Sequence, residues 1–191
     1  MGARLIVSAP SLQNLAETLD KHTHEKFAAK REAKVAKEWG DLSENAEYKA
    51  SKEKFRLAGR LQQRVGRELK RIQDQGYDVV DPLDWAKARD VSVVEVGVVV
   101  RLSQKGFTED YLVAGAKDTH LPMDGVLVPV PYTSPLGQAL YGKTPPCRVD
   151  AEIAGERRVL SLESLRIPTR AEILQLYPEL TPEEPKRKRK E

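Results

Sequence analysis

The sequence predicts an α+β protein: an N-terminal antiparallel helical hairpin, then a small, mostly antiparallel sheet domain. Three observations carry this prediction. Residues 11–39 contain no helix breaker and place Leu12, Leu15 and Leu19 at helical spacing. After a glycine-containing stretch at Trp39–Ser43, Phe55, Ala58, Leu61, Val65, Leu69 and Ile72 repeat at intervals of three and four. From about residue 77 the pattern changes to short runs of β-branched residues bounded by Gly, Pro and Asp.

The first helix is expected to start at Ser11 as N-cap and to continue its apolar face through Phe27, Ala28, Val35 and Ala36. The second is expected from Glu44 onward. Each has roughly 28 residues and a length of about 42 Å at 1.5 Å per residue, and the short link folds them back on each other. Together they define a coiled-coil finger over residues 1–76. Gly59 and Gly66 weaken the second helix by up to about 1 kcal/mol each relative to Ala. Residues 77–168 form the sheet domain, with strands at VSVVEVGVVVRL, DYLVAGA, GVLVPVP and CRVDAEIAGERRVLSLESL. Ala154-Gly155-Glu156 marks a hairpin turn, and SPLGQALYG a short helix. Residues 169–191 hold a short amphipathic stretch, RAEILQLYPEL, and end in the Pro-rich, charged TPEEPKRKRKE. This third segment is assigned as a charged tail whose end is disordered.

Composition narrows the function classes. The chain has 191 residues, 40% hydrophobic and 32% charged, against about 25% charged in ordinary globular domains. Long exposed helices account for the excess. A net charge of +3 from 32 basic and 29 acidic residues hides a local segregation of charge. Cys147 is the single cysteine, which excludes a disulfide framework or a cysteine-based zinc site and fits a reducing, cytoplasmic setting. No apolar run reaches membrane-spanning length, and the N-terminal stretch is too short for a signal peptide. Gly2 does not open a myristoylation motif, because position 6 is Ile.

The stretch GDLSENAEY holds the candidate site. Asp41 and Glu44 fit a capping box at a helix start, where their charges also suit the positive end of the helix dipole. Their place at the end of an arm adds a second reading. With Asn45 and Glu47 on the same turn, they form an oxygen-rich set of the kind Mg²⁺ accepts. Two exposed carboxylates hold Mg²⁺ weakly, so a partner must supply the remaining ligands. Lys34 and Lys37 precede the tip, and Lys49, Lys52 and Lys54 follow it. Arg56, Arg60, Arg64, Arg67 and Arg71 then form one stripe along the second helix. Such a stripe is either a solvated face, partly paired with Glu53, Glu68 and Asp74, or a track for a phosphate backbone.

GDLSENAEYKASKE closely resembles the tip motif of the Gre family of bacterial transcription elongation factors. SPLGQALYGK, at Ser134–Lys143, independently resembles that family's C-terminal signature, and VVEVGVVVRL its first C-terminal strand region. The agreement in order and layout runs from about residue 8 to 167. The resemblance implies a coiled-coil finger followed by a domain related in fold to FK506-binding proteins. It implies docking at the secondary channel of bacterial RNA polymerase, as a monomer with no membrane partner. The finger would reach the active centre and stimulate the polymerase's own Mg²⁺-dependent cleavage of backtracked RNA. On this reading the protein is not itself an enzyme. Asp41 and Glu44 match the residues that hold Mg²⁺ jointly with the polymerase, with no ion bound stably by the factor alone. Asn45 and Tyr48 shape the tip or touch RNA. Lys37 and Lys52 match basic positions that hold the nascent RNA 3′ end, where the family often has Arg; Arg56 and Arg60 extend them. Ser134, Pro135, Gly137 and Gly142 match the signature, read as structural and docking-related.

Some residues depart from the pattern. Trp39 stands where the family often has His, the first helix lacks the common Arg-Pro pair, and the segment after Pro168 lies outside it. Three alternatives remain. An inhibitory paralogue would block the same channel, but the intact acidic tip argues against it. A prolyl isomerase would follow from fold analogy alone, and no aromatic-lined pocket is evident. A plain coiled-coil adaptor leaves Ser134–Lys143 unexplained.

Overall fold

β1 (Leu5–Ser8) runs directly into α1 (Ala9–Glu38), and α2 (Ala46–Gln75) is followed by β2 (Tyr77–Val80), which pairs with β1. These elements come from a computed structural model that describes residues 4–38, 46–123, 125–153 and 155–181. Ser8, not Ser11, caps α1: its Oγ accepts the Ser11 backbone N–H at 3.3 Å. Pro10 lies in the first turn, where its missing N–H costs nothing, so the helix starts earlier than the leucine pattern suggests.

The two helices run antiparallel. Leu19 lies against Gly66, Thr23 bonds to Gln62, and Lys54 pairs with Glu32 at 3.2 Å. Among the covered positions one set keeps a heptad spacing along each helix: Leu12, Leu15, Leu19, His22, Lys26, Ala29, Ala33 and Ala36 on α1, and Ser51, Phe55, Ala58, Gln62, Val65, Leu69 and Ile72 on α2, with Thr23, Ala28, Leu61 and others partly covered beside it. Two expectations are corrected here. Phe27 and Val35 are 58% and 48% exposed, and the covered positions near them are Ala29 and Ala36. Gln62, rather than Leu61 alone, faces α1. The seam is leucine-rich at one end and alanine-rich at the other, so a search for large apolar residues follows only half of it.

The second body is a five-stranded sheet, in the order β5-β4-β3-β7-β6. Its strands are β3 (Val99–Gln104), β4 (Phe107–Ala114), β5 (Val128–Pro131), β6 (Cys147–Ile153) and β7 (Glu156–Arg166). All neighbours are antiparallel except β4 and β5, which are parallel and joined by a long connection. The expected strand VSVVEVGVVVRL begins only at Val99; before it Val94, Val96 and Val98 are buried in irregular chain. Ile153 pairs with Glu156, and Gly155 has φ +82°, which suits a tight turn.

Consecutive residues of β3 are buried because both faces of the sheet are covered. Val99 and Leu112 point to one face, where they meet Trp85, Ile173, Leu176 and Tyr177. Val100, Leu102, Val113, Val149 and Leu162 point to the other, beneath Leu136 and Leu140 of α3 (Pro135–Leu140). The first face corrects the assignment of residues 169–191 to a tail. Within it, α4 (Arg170–Leu176) forms with Thr169 and Glu172 in a reciprocal capping box, and Ile173, Leu176 and Tyr177 enter the core. The rest of that assignment, residues 182–191, lies outside the described residues. An ion network fastens α4 to the sheet: Arg166 bonds Glu172 at 2.7 and 2.9 Å and Asp110 at 3.1 Å, and Arg101 bonds Asp110 at 2.8 Å.

The chain divides into two compact units, one of Met1–Leu5 and Leu12–Tyr77, the other of Ile6–Ser11 and Asp78–Glu191. The sequence alone places the division at residues 76 and 77 and does not anticipate that Ile6–Ser11 joins the second unit. Asp118, 1% exposed, explains the join. Its carboxylate accepts the hydroxyls of Ser8 and Ser11 and, at 2.6 Å, the backbone N–H of Gly115. A buried carboxylate is tolerated here because three donors surround it.

Candidate functional site

Asp41, Glu44 and Asn45, with Trp39, lie outside the described residues, in the connection between Glu38 and Ala46. The surface leading up to that connection is described. Lys37 is exposed in the last turn of α1, where a cation suits the negative end of the helix dipole. On α2, Tyr48 is half-buried, and Lys52 one turn later places its Nζ 5.7 Å from the Tyr48 ring centroid. That contact orients both side chains by cation–π attraction.

Arg56 and Arg60 are exposed on the next two turns. With Lys26, Lys49, Lys52 and Phe55 they border an open concavity of about 860 Å³ on one flank of the hairpin. Glu53 is the one acidic residue bordering it. Lys26 reaches over from α1 beside Gly59, its Cε 3.8 Å from where a Cβ at Gly59 would lie, an ordinary contact distance. Lys26 was not singled out from the sequence. Nothing in the sequence marks it, because its neighbours on the facing helix are known only once the register is. Arg64, Arg67 and Arg71 carry the exposed stripe further along α2. The other flank differs: Ala28, Val35, Ala36 and Ala50 border a groove with Arg31, Glu32 and Lys54. The hairpin therefore has one strongly basic side.

A cationic groove with aromatic groups suits a single-stranded polyanion. Among the described residues, no group of three or more His, Cys, Asp or Glu is placed to hold a metal ion. Asp41 and Glu44 therefore remain the metal-ligand candidates on sequence grounds.

In the second unit, Ser134 caps α3, accepting the Gly137 N–H at 3.1 Å, and Pro135 occupies the first turn. Gly137 is held tightly: a Cβ there would fall 2.2 Å from the Pro131 carbonyl oxygen. Gly142 has φ +75° and closes the motif, its N–H donating to the Val94 carbonyl at 2.8 Å while the Val94 N–H donates to the Lys143 carbonyl at 2.9 Å. These four residues shape one turn-helix-turn unit. A concavity of about 310 Å³ is bordered by two aromatic residues, Trp85 and Tyr141, with Ile6, Val80, Arg89, Glu95 and Val96. Among the described residues no helix is long and apolar enough to cross a membrane.

The described residues thus comprise a long helical hairpin with a basic flank and a sheet domain covered by helices on both faces. Residues 5–76 match the family model for the N-terminal region of the GreA and GreB transcription elongation factors. The chain is 34% identical over 137 residues to the transcription elongation factor GreA of Nautilia profundicola, covering 71% of this chain and 76% of that protein. It is 30% identical over 162 residues to GreA of Acidiphilium cryptum, covering 84% and 96%. The protein belongs to the GreA/GreB family of transcription elongation factors. Among solved structures, GreA factor homolog 1 (Gfh1) of Thermus thermophilus aligns over 86% of this chain and 99% of its own, at 15% identity and a TM-score of 0.35.

Proposed function

We propose that the protein stimulates RNA polymerase's own cleavage of backtracked RNA and so rescues arrested complexes. The observation that carries this reading is the one-sided hairpin. Two helices of 30 residues, each about 45 Å long, bring a basic flank up to the seven-residue connection that holds Asp41 and Glu44. Such an arm suits entry into a channel, with the carboxylates leading and the cations behind.

The chemistry follows from the residue types. Two carboxylates are hard oxygen donors and fit Mg²⁺, shared with ligands from the polymerase. A bound Mg²⁺ supplies Lewis-acid activation of water and stabilises the leaving oxygen. Asp41 and Glu44 would hold that ion at the polymerase centre. Lys37, Lys52, Arg56 and Arg60 would balance the phosphates of the extruded RNA 3′ end, and Asn45 and the Tyr48 ring would position it. The factor contributes ligands and no complete active site, so the catalyst is the polymerase. Docking through the Ser134–Gly142 unit, as a monomer in the cytoplasm, completes the proposal.

The test is transcript cleavage by a backtracked polymerase complex with labelled RNA and Mg²⁺. The parent protein should speed cleavage strongly. Asp41→Ala and Glu44→Ala should each return it close to the rate without factor while leaving polymerase binding intact. If the parent protein binds but leaves cleavage unchanged, it blocks the channel instead, and the carboxylates revert to a helix cap.

A further inference from the structure

The seam between α1 and α2 contains a polar layer whose function the cleavage reading does not use. Gln62 donates through Nε2 to Thr23 Oγ1 at 2.9 Å and accepts from Lys26 Nζ at 2.9 Å. Thr23 in turn donates to the Leu19 carbonyl at 2.8 Å, and Lys26 Nζ lies 5.8 Å from the Phe55 ring centroid. Each of the three side chains is half-buried, and the bonds cross from one helix to the other. Apolar residues would bury more surface at these positions, so the layer calls for an explanation other than stability.

The heptad spacing supplies it. Because both helices repeat every seven residues along the seam, sliding one past the other by a heptad again presents covered positions to covered positions. Such a slide moves the end of α1 relative to α2 by about 10 Å. The alanine-rich half of the seam discriminates weakly between registers, since small side chains interlock little. The polar layer does discriminate. One heptad away, Ala16 and Leu19, or Lys30 and Ala33, would stand in place of Thr23 and Lys26, so the Gln62 amide would lose both partners in the first register and the hydroxyl acceptor in the second.

We infer that Gln62, with Thr23 and Lys26, is a register clasp that sets where α1 and α2 end relative to each other and so positions the connection bearing Asp41 and Glu44. A single polar residue in a heptad seam is a recognised way of fixing register at a cost in stability. The positioning role rests on the proposed cleavage function; the register role does not. Gln62 is thus a positioning residue, acting through the carboxylates.

The experiment uses the full chain with Cys147→Ser and spin labels on cysteines replacing the exposed Lys30 and Lys70. Distances between labels are compared for the otherwise unchanged protein and for Gln62→Leu, with Thr23→Val as a milder second variant. The unchanged chain should give one narrow distance. Gln62→Leu should keep its melting temperature or raise it, yet broaden the distribution or add a component shifted by about 10 Å. In unlabelled protein, Gln62→Leu should bind polymerase as the parent does but lose most cleavage stimulation, with Gln62→Glu, which still accepts from Lys26, recovering part of it. An unchanged distance distribution in both variants overturns the clasp, whatever cleavage does. A broadened distribution with full cleavage overturns the positioning role. If the parent protein itself stimulates no cleavage, the distance measurement alone decides the clasp.

Discussion

Glycines at three positions in this protein do opposite things, and the difference is measurable one residue at a time. Gly137 lies where an added Cβ would meet the Pro131 carbonyl oxygen and the Tyr132 backbone at 2.2 and 2.6 Å. The neighbours are backbone, so they cannot step aside. Gly137→Ala should lower the melting temperature sharply, a loss of several kcal/mol or about the range of severe core substitutions. Gly59 and Gly66 face side-chain atoms at 3.8 and 4.0 Å, an ordinary contact distance. Gly59→Ala and Gly66→Ala should each stabilise the hairpin by about 1 kcal/mol through helix propensity, seen as a higher denaturation midpoint. Both glycines looked alike in the sequence, as weak points in a helix. Asp118 had no sequence signal at all, because Ser8 and Ser11, which bond to it, lie more than a hundred residues away. Asp118→Ala would leave two buried hydroxyls and a buried N–H without their acceptor, and should cost about 3 kcal/mol or more in a chemical-denaturation curve.

At the level of elements, the hairpin and α4 differ in how they were legible. The Leu12, Leu15, Leu19 side of the seam announces itself by spacing, and so do Val65, Leu69 and Ile72. The alanine side does not, since Phe27 and Val35 are larger and closer to the eye than Ala29 and Ala36. The sequence of α4 is visibly amphipathic, but the charged residues that follow it make the whole segment resemble a tail. What decides its fate is the open sheet face over Val99 and Leu112, which is a tertiary fact. Ile173→Ala should cost about 2–5 kcal/mol, the range for large-to-small core changes. The ion network over α4 adds a pH dependence. Bonding to Arg101, with help from Arg166, holds the Asp110 carboxyl below its usual range, and bonding to Arg166, with help from Thr169, does the same for Glu172. Carboxyls depressed in the folded state stabilise it above the ordinary carboxylate range, near pH 4. That stabilisation is lost as pH falls through their lower folded values. Asp110→Asn and Glu172→Gln should therefore lower the melting temperature at pH 7 and make it less sensitive to acid below about pH 4.

Across the whole molecule, the sequence was most informative where chemistry is local. The tip motif, the arginine stripe and the Ser134–Gly142 unit are contiguous or periodic, and the family assignment agrees with what they suggested. Where a residue's partner is remote in sequence, the meaning had to wait for the fold: Ser8 with Asp118, Lys26 with Gln62, Tyr177 with Trp85, whose rings meet edge to face at 6.0 Å. The membership of Ile6–Ser11 in the second unit has a practical consequence of the same origin. In topological terms residues 12–77 are an insertion within a domain whose chain leaves at Ser11 and returns at Asp78, with β1 and β2 paired beside the two ends. A fragment cut at residue 78 would lack Val7 and the hydroxyls that surround Asp118, and should be poorly folded. Ser11 spliced to Asp78 through a short loop should give a cooperative domain without the arm, and a separately added peptide spanning residues 4–11 should rescue the cut fragment by complementation.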